Sequence, residues 1–87
     1  MRKDFSLLSK RLKLLNRLVS EGFSVRMHGY EYFIRKNKFV CVLLINPSKN
    51  EANFYRILWN YQESIASIQK IMKILLEINP SIRVRIH

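Results

Sequence analysis

The longest regular pattern in the chain spans Asn46–Asn79. Apolar residues recur there with alternating spacings of four and three, which is typical of one face of a helix and which strict strand alternation cannot produce. The residues of this stripe are Phe54, Leu58, Tyr61, Ile65, Ile68, Met72 and Leu75. Pro47 suits a first helical turn, and Ser48 with Glu51 three residues later matches a reciprocal capping box. The pattern predicts one long amphipathic helix that stops before Pro80.

A helix of this length predicts a second chain. Roughly thirty helical residues span about 45 Å, whereas strands of five or six residues offer roughly 20 Å for the helix to cover. The C-terminal half of the stripe would then pack against another surface, either in a homodimer or in a heterodimer with a related subunit. The predicted interface residues are Ile65, Ile68, Met72 and Leu75.

The net charge indicates a polyanionic partner. Lys and Arg number 16 against 6 Asp and Glu, which gives +10 on 87 residues, and so compact a cation attracts polyanions over long range. Nucleic acid is the expected partner, with RNA preferred over DNA although phosphate contacts are common to both. An anionic membrane surface is the alternative, but no apolar run is long enough to span a bilayer, so we expect no membrane partner.

The N-terminal segment predicts a first helix over Asp4–Ser20 that ends at a left-handed Gly22. Its apolar positions fall on one stripe: Phe5, Leu8, Leu12, Leu15 and Val19. Lys10, Lys13 and Arg17 gather on the opposite side, and no acidic residue lies between them to relieve their repulsion. This side is either an ordinary solvated helix face or a stripe that binds an anion.

The segment after this helix is rich in aromatic and β-branched residues and predicts three short strands, with a turn at Gly29 and a tight Lys36-Asn37 loop. Alternation assigns to the core face Tyr30, Tyr32, Ile34, Phe39, Cys41 and Leu43. The other face is predicted to bind nucleic acid, with Arg35 opposite Lys38 and Phe33 as a stacking surface beside them. The candidate residues on this sheet are Arg26, Phe33, Arg35, Lys36 and Lys38.

The last seven residues, 81–87, alternate and predict a final edge strand. The chain is therefore expected to form a single α+β domain over residues 1–87. Its predicted element order is α-β-β-β-α-β, with three to four antiparallel strands and both helices on one face of the sheet.

The residues available for chemistry are few. Cys41 is the single cysteine, which predicts a buried thiol in a reducing, cytoplasmic compartment, and no cluster has the spacing of metal ligands. We therefore expect no cofactor, no metal, no small-molecule substrate and no catalytic residue. The alternative is acid–base cleavage of RNA by His28, Tyr30 and Glu31, assisted by Arg26 and Arg35.

The run Lys38–Ile45, followed by a polar break and a helix, resembles the smaller Alu-domain subunit of the signal recognition particle, as do the order of elements and the chain length. The resemblance covers about residues 4–75. It implies an αβββα fold that pairs with a related subunit and binds RNA through basic sheet residues. By position these residues are Arg26, Arg35, Lys36 and Lys38.

The segments Leu18–Phe23 and Val25-Arg26 resemble HicA-type mRNA interferases, in which a helix, a Gly-Phe pair, a strand and a glycine precede the active histidine. That resemblance implies RNA cleavage. Here Tyr30 follows the glycine and His28 precedes it, so the histidine is not where that family has it.

Together these observations predict a small basic RNA-binding subunit of a ribonucleoprotein that does not catalyse a reaction. An RNA-cleaving toxin is the enzyme alternative. A protein-interaction subunit that docks through its C-terminal helix is the third possibility.

Overall fold

The computed structural model describes residues 5–37, 39–57 and 61–87. Its elements form two layers, a sheet and a pair of helices. In chain order they are α1 (Leu8–Ser20), β1 (Ser24–His28), β2 (Glu31–Lys36), β3 (Phe39–Asn46), β4 (Glu51–Ile57), α2 (Tyr61–Ile78) and β5 (Arg83–Ile86).

The five strands form one mixed sheet in the order β1-β2-β3-β4-β5. The first four form an antiparallel meander, and β5 is parallel to β4. Adjacent parallel strands need a crossover connection, which α2 provides. The predicted α+β class is confirmed, but the predicted order α-β-β-β-α-β and the all-antiparallel sheet are wrong, because the chain has a further strand before α2.

That further strand, β4, replaces the first part of the predicted long helix. A turn over residues 47–50 reverses the chain, and Asn50 adopts φ 52°, a left-handed conformation that asparagine tolerates. The predicted capping box is also wrong, since the Ser48 hydroxyl donates to the Asn46 side-chain oxygen at 2.8 Å and Glu51 forms an ion pair with Arg85. The reason is that β4 buries alternate residues between two neighbouring strands.

The helix α2 has 18 residues and is thus about 27 Å long. It stops at Ile78, as predicted, and Asn79 donates its backbone N–H to the Leu75 carbonyl at 2.8 Å. Ile68 and Leu75, predicted to contact a second chain, lie in the core of their own domain. The excess helix length on which the predicted interface depended is absent from the described residues.

The helix α1 begins at Leu8, and the predicted Asp4 start lies outside the described residues. It ends as predicted, since Gly22 has φ 93°. The Phe23 N–H donates to Leu18 and the Gly22 N–H to Val19, a pair of bonds that satisfies the last carbonyls of the helix.

The β2–β3 hairpin differs from the prediction by two positions. Lys36 pairs with Phe39, so that the loop begins at Asn37, whose φ is 54°. Arg35 consequently lies opposite Val40 and not opposite Lys38, which is outside the described residues. A shift of two preserves the side to which each residue points, because side chains alternate with a period of two.

Both helices pack on the same face of the sheet, with α1 against α2 and β1 and with α2 across β3. The sheet residues buried beneath them are Tyr32, Ile34, Phe39, Cys41, Leu43, Ile45, Ala52 and Phe54. The predicted assignment of faces is thus confirmed with one exception. Tyr30 lies in the β1–β2 turn and is 39% exposed, since it precedes β2.

Candidate nucleic-acid interface

The face of the sheet that points away from the helices is called the open face below. Its described members follow from the strand registers and are Ser24, Arg26, His28, Glu31, Phe33, Arg35, Val40, Val42, Leu44, Asn46, Glu51, Asn53, Tyr55, Arg83 and Arg85. The three aliphatic residues in the middle strand are only half-buried. Neither helix covers this surface, so it is the broad solvent-facing side of the domain.

Two large aromatic side chains are exposed on the open face. Phe33 in β2 is 40% exposed and Tyr55 in β4 is 44% exposed. Both lie opposite Val42 of the strand between them. Strands in a sheet are about 4.8 Å apart, which places the two aromatic residues about 10 Å from each other across the sheet.

A histidine accompanies each of these aromatic residues. His28 meets the Phe33 ring edge-on, with ring centroids 5.8 Å apart and an interplanar angle of 78°. His87 stacks on Tyr55, with centroids 4.6 Å apart and an angle of 7°. The His87 ring also contacts the Asn53 side-chain oxygen through Nε2 at 3.1 Å, and its backbone N–H donates to the Phe54 carbonyl at 2.8 Å. These contacts hold the two rings parallel.

Arginines lie at both ends of the open face. Arg26 and Arg35 are on the β1–β2 side, and Arg83 and Arg85 are on β5. Arg85 pairs with Glu51 at 3.1 Å. The described residues of the open face therefore include four arginines and two glutamates, Glu31 and Glu51. This surface carries a net positive charge before any histidine is counted.

Two depressions lie on or at the edge of the open face. One, of about 390 Å³, lies between the arginines of β1 and β2 and the middle strand, with Arg26, Phe33, Arg35 and Val42 in its lining. The other, of about 640 Å³, lies at the end of the hairpins near His28. The first depression combines an exposed ring, guanidinium groups and an apolar floor.

The structure divides the basic residues predicted from the sequence. Arg26 and Arg35 lie on the open face with Phe33, whereas Lys10, Lys13 and Arg17 are on α1, in the helical layer on the other side of the sheet. Arg17 donates to the Glu77 carboxylate at 2.8 Å, and this hydrogen bond is the main reason that the pKa of Glu77 is lowered. One nucleic-acid strand lying flat on the sheet would reach the first group and not the second.

The Lys36 side chain contacts the end of α1. Its Nζ donates to the Glu21 carbonyl at the end of α1 at 3.3 Å and lies 5.0 Å from the centroid of the Phe23 ring. A cation at this place stabilises the negative end of the helix dipole. Lys38, predicted beside it, lies outside the described residues.

His28, Tyr30 and Glu31, the residues of the proposed acid–base alternative, line the depression of about 640 Å³ together. His28 and Glu31 are cross-strand partners on the open face. Tyr30 instead lies in the turn, where the Arg11 guanidinium is 4.3 Å above its ring and also donates to the Gly29 carbonyl. Arg11 thereby holds the Tyr30 ring against α1.

Tyr32 and Cys41 lie beneath the helices and not on the open face. Burial raises the pKa of Cys41 to about 12, which agrees with the predicted buried thiol. Burial also raises the pKa of Tyr32, and the nearby Arg11 charge opposes part of this rise. The Tyr32 hydroxyl donates to the Arg11 carbonyl at 2.8 Å, so it ties α1 to the sheet.

The sequence analysis did not predict Tyr55, Arg83 and Arg85 of the open face as candidates, nor His87, which follows β5 and stacks on Tyr55. The alternation of buried Ala52 and Phe54 with outward Asn53 and Tyr55 is a signal for a strand. The helical interpretation of the same segment concealed that signal. The stacking of His87 on Tyr55 depends on the parallel pairing of β5 with β4, which no local pattern reveals.

Among residues 5–37, 39–57 and 61–87, no group of three or more His, Cys, Asp or Glu side chains is placed to hold a metal ion. Within the same ranges, no helix has the length and apolar character needed to cross a membrane. Comparison with protein-family models, with curated proteins and with solved structures found no match. The two resemblances drawn from the sequence therefore stay predictions.

Proposed function

We propose that this protein binds RNA on the open face, without catalysing a reaction, as a small basic subunit of a ribonucleoprotein. The observation that carries the proposal is the combination of exposed rings and arginines on a sheet face that no helix covers. Full burial of a large apolar side chain contributes about 1.5–3 kcal/mol. Phe33 leaves 40% of its surface in water, so a ligand that covers this part recovers a fraction of that free energy and also neutralises the arginines beside it.

The proposal assigns binding to the sheet and not to the lysines of α1. Guanidinium groups bind phosphate with two parallel hydrogen bonds, and aromatic rings stack on bases regardless of sequence. Lys10 and Lys13 lie on α1, in the helical layer on the other side of the sheet from Phe33. RNA is proposed over DNA on the resemblance to the signal recognition particle subunit, and the experiment includes both.

The direct test measures fluorescence anisotropy of labelled 12-nucleotide RNA and DNA at 50 mM salt, with the purified protein and two charge-reversal variants. Arg26→Glu with Arg35→Glu is expected to abolish binding, because both changes lie on the open face. Lys10→Glu with Lys13→Glu is the matched control, since it changes the net charge equally on the helical layer. A wild-type protein that bound neither oligonucleotide would overturn the proposal.

RNA cleavage is a second candidate function, favoured by the cross-strand placement of His28 and Glu31 on the open face. General acid–base catalysis needs two such groups within hydrogen-bond reach of the substrate. We favour binding alone because the exposed rings and the arginines of the open face support binding without a chemical step. In the test, end-labelled RNA is incubated with wild type and with His28→Ala. Cleavage by wild type that the substitution removes would replace the binding proposal with a nuclease.

Association with another protein chain is proposed for α1 in place of α2. Leu8, Leu12 and Val19 are 55%, 40% and 52% exposed, and their spacing of four and seven places them on one side of the helix. We propose that this side mediates a homodimer. Light scattering at rising concentration is expected to show a dimer that Leu8→Asp with Leu12→Asp converts to a monomer. An unchanged monomeric mass for the wild type would contradict the proposal.

A further inference from the structure

The geometry points to a second base-stacking position at Tyr55 and His87. We propose that the open face binds single-stranded RNA with two bases unstacked from each other, one on Phe33 and one on the Tyr55–His87 pair. This inference rests on the proposed function and names the form of RNA that the site takes.

The distance between the two positions argues for a single strand. Phe33 and Tyr55 both lie opposite Val42, and two strand spacings separate them by about 10 Å. Successive bases in a stacked helix are about 3.4 Å apart and bury their faces against each other. Two bases that each lie on one of these rings therefore cannot be stacked neighbours in a duplex.

The Tyr55–His87 pair is organised before any ligand binds. The rings are nearly parallel, at 7°, and their centroids are 4.6 Å apart. The Asn53 side-chain oxygen and the Phe54 carbonyl hold His87 in place. Because the two rings are already ordered, little conformational entropy is lost when a base stacks on an outer face of the pair, which favours binding.

Each ring has cationic groups on its own side of the sheet. Arg26 is the cross-strand partner of Phe33 in β1. At the other end, Arg85 in β5 is the partner of Asn53, two residues before Tyr55 in β4. The RNA backbone would therefore cross the strands from β1 toward β5, with phosphates near the arginines at both ends. The half-buried Val42 lies beneath the midpoint of this path.

The experiment compares unstructured RNA with a blunt hairpin duplex of equal length and charge, measured by anisotropy with the full chain. Wild type is expected to prefer the single strand. Because one base–aromatic stack accounts for roughly 5- to 150-fold in affinity, Tyr55→Ala and Phe33→Ala are each expected to weaken single-strand binding by a factor in that range. Tyr55→Phe keeps the ring and should restore it. His87→Ala removes one ring of the pair and should lower affinity less than Tyr55→Ala.

Tyr30→Ala is the matched control, because Tyr30 is similarly exposed but is held toward α1 by Arg11. Its affinity should equal that of wild type, and thermal melting checks that every variant folds. Equal binding of duplex and single strand, with Tyr55→Ala unchanged and Arg26→Glu with Arg35→Glu inactive, would overturn the stacking inference and leave RNA binding intact. Failure of wild type to bind any RNA would overturn both.

Discussion

Salt dependence offers a quantitative test of which arginines contact phosphate. Replacing Arg26 and Arg35 by glutamine removes two positive charges from the open face while keeping polar side chains of similar length. Neither arginine has a described ion-pair partner. The substitutions are therefore expected to change phosphate contact with little effect on the fold.

The magnitude follows from the number of arginines on the face. If Arg26, Arg35, Arg83 and Arg85 each neutralise one phosphate of a single strand, the slope of log K against log salt is about −2.8, and the double variant should show about −1.4. Raising salt from about 50 to about 200 mM should then weaken wild type about 50-fold and the double variant about 7-fold.

The assay is anisotropy with one labelled single-stranded RNA at four or more salt concentrations. Lys10→Gln with Lys13→Gln serves as the control, since it removes the same net charge from the helical layer, and its slope should stay near that of wild type. Equal flattening of the slope by both double variants would contradict phosphate contact by Arg26 and Arg35, because binding would then depend on net charge and not on the open face.

Three further predictions concern stability and reactivity. Phe54→Ala should lower the free energy of unfolding by about 3–5 kcal/mol in urea titrations, because Phe54 is fully buried. Phe33→Ala should change it by only about 0.5 kcal/mol or less, because Phe33 is partly exposed. Similar losses for both variants would contradict the assignment of faces. The Cys41 thiol should react with Ellman's reagent only upon unfolding, and rapid reaction of the native protein at pH 8 would refute its burial. Because burial raises the pKa of Cys41 from 9.0 to about 12, the contribution of this thiol to stability is present below pH 9.0 and is lost as the pH rises toward 12. Asn50→Gly keeps the left-handed turn but removes side-chain hydrogen bonds to Asn79 and Ser81, so the melting temperature should fall, and an unchanged melting temperature would show that these bonds are dispensable.

Much of the fold follows from local patterns that the sequence contains. The end of α1 depends on Gly22, because glycine has no Cβ and adopts without steric cost the left-handed conformation that ends many helices. The assignment of Tyr32, Ile34 and Cys41 to the core follows from alternation, and it is correct even though the predicted loop was one residue away. A period of two makes the face of each residue insensitive to an even shift in register.

The segment before α2 shows where local patterns become ambiguous. Phe54 fits both a helical stripe and a strand that alternates with Ala52, and Ser48 with Glu51 matches a cap that does not form. Local propensity differs little between these alternatives. What selects the strand is pairing with β3 on one side and β5 on the other, and both partners are distant in the chain.

The sequence by itself determined the charge, the apolar alternation and therefore the presence of a basic sheet face that includes Arg26, Phe33 and Arg35. Only the tertiary structure decided that Tyr55 and His87 join that face, together with Arg83 and Arg85 of β5. The physical reason is that the side of the sheet to which a residue points depends on its position within its own strand. The residues that lie beside it depend on which strands pair. His87 reaches Tyr55 because α2 returns the chain to the edge of β4.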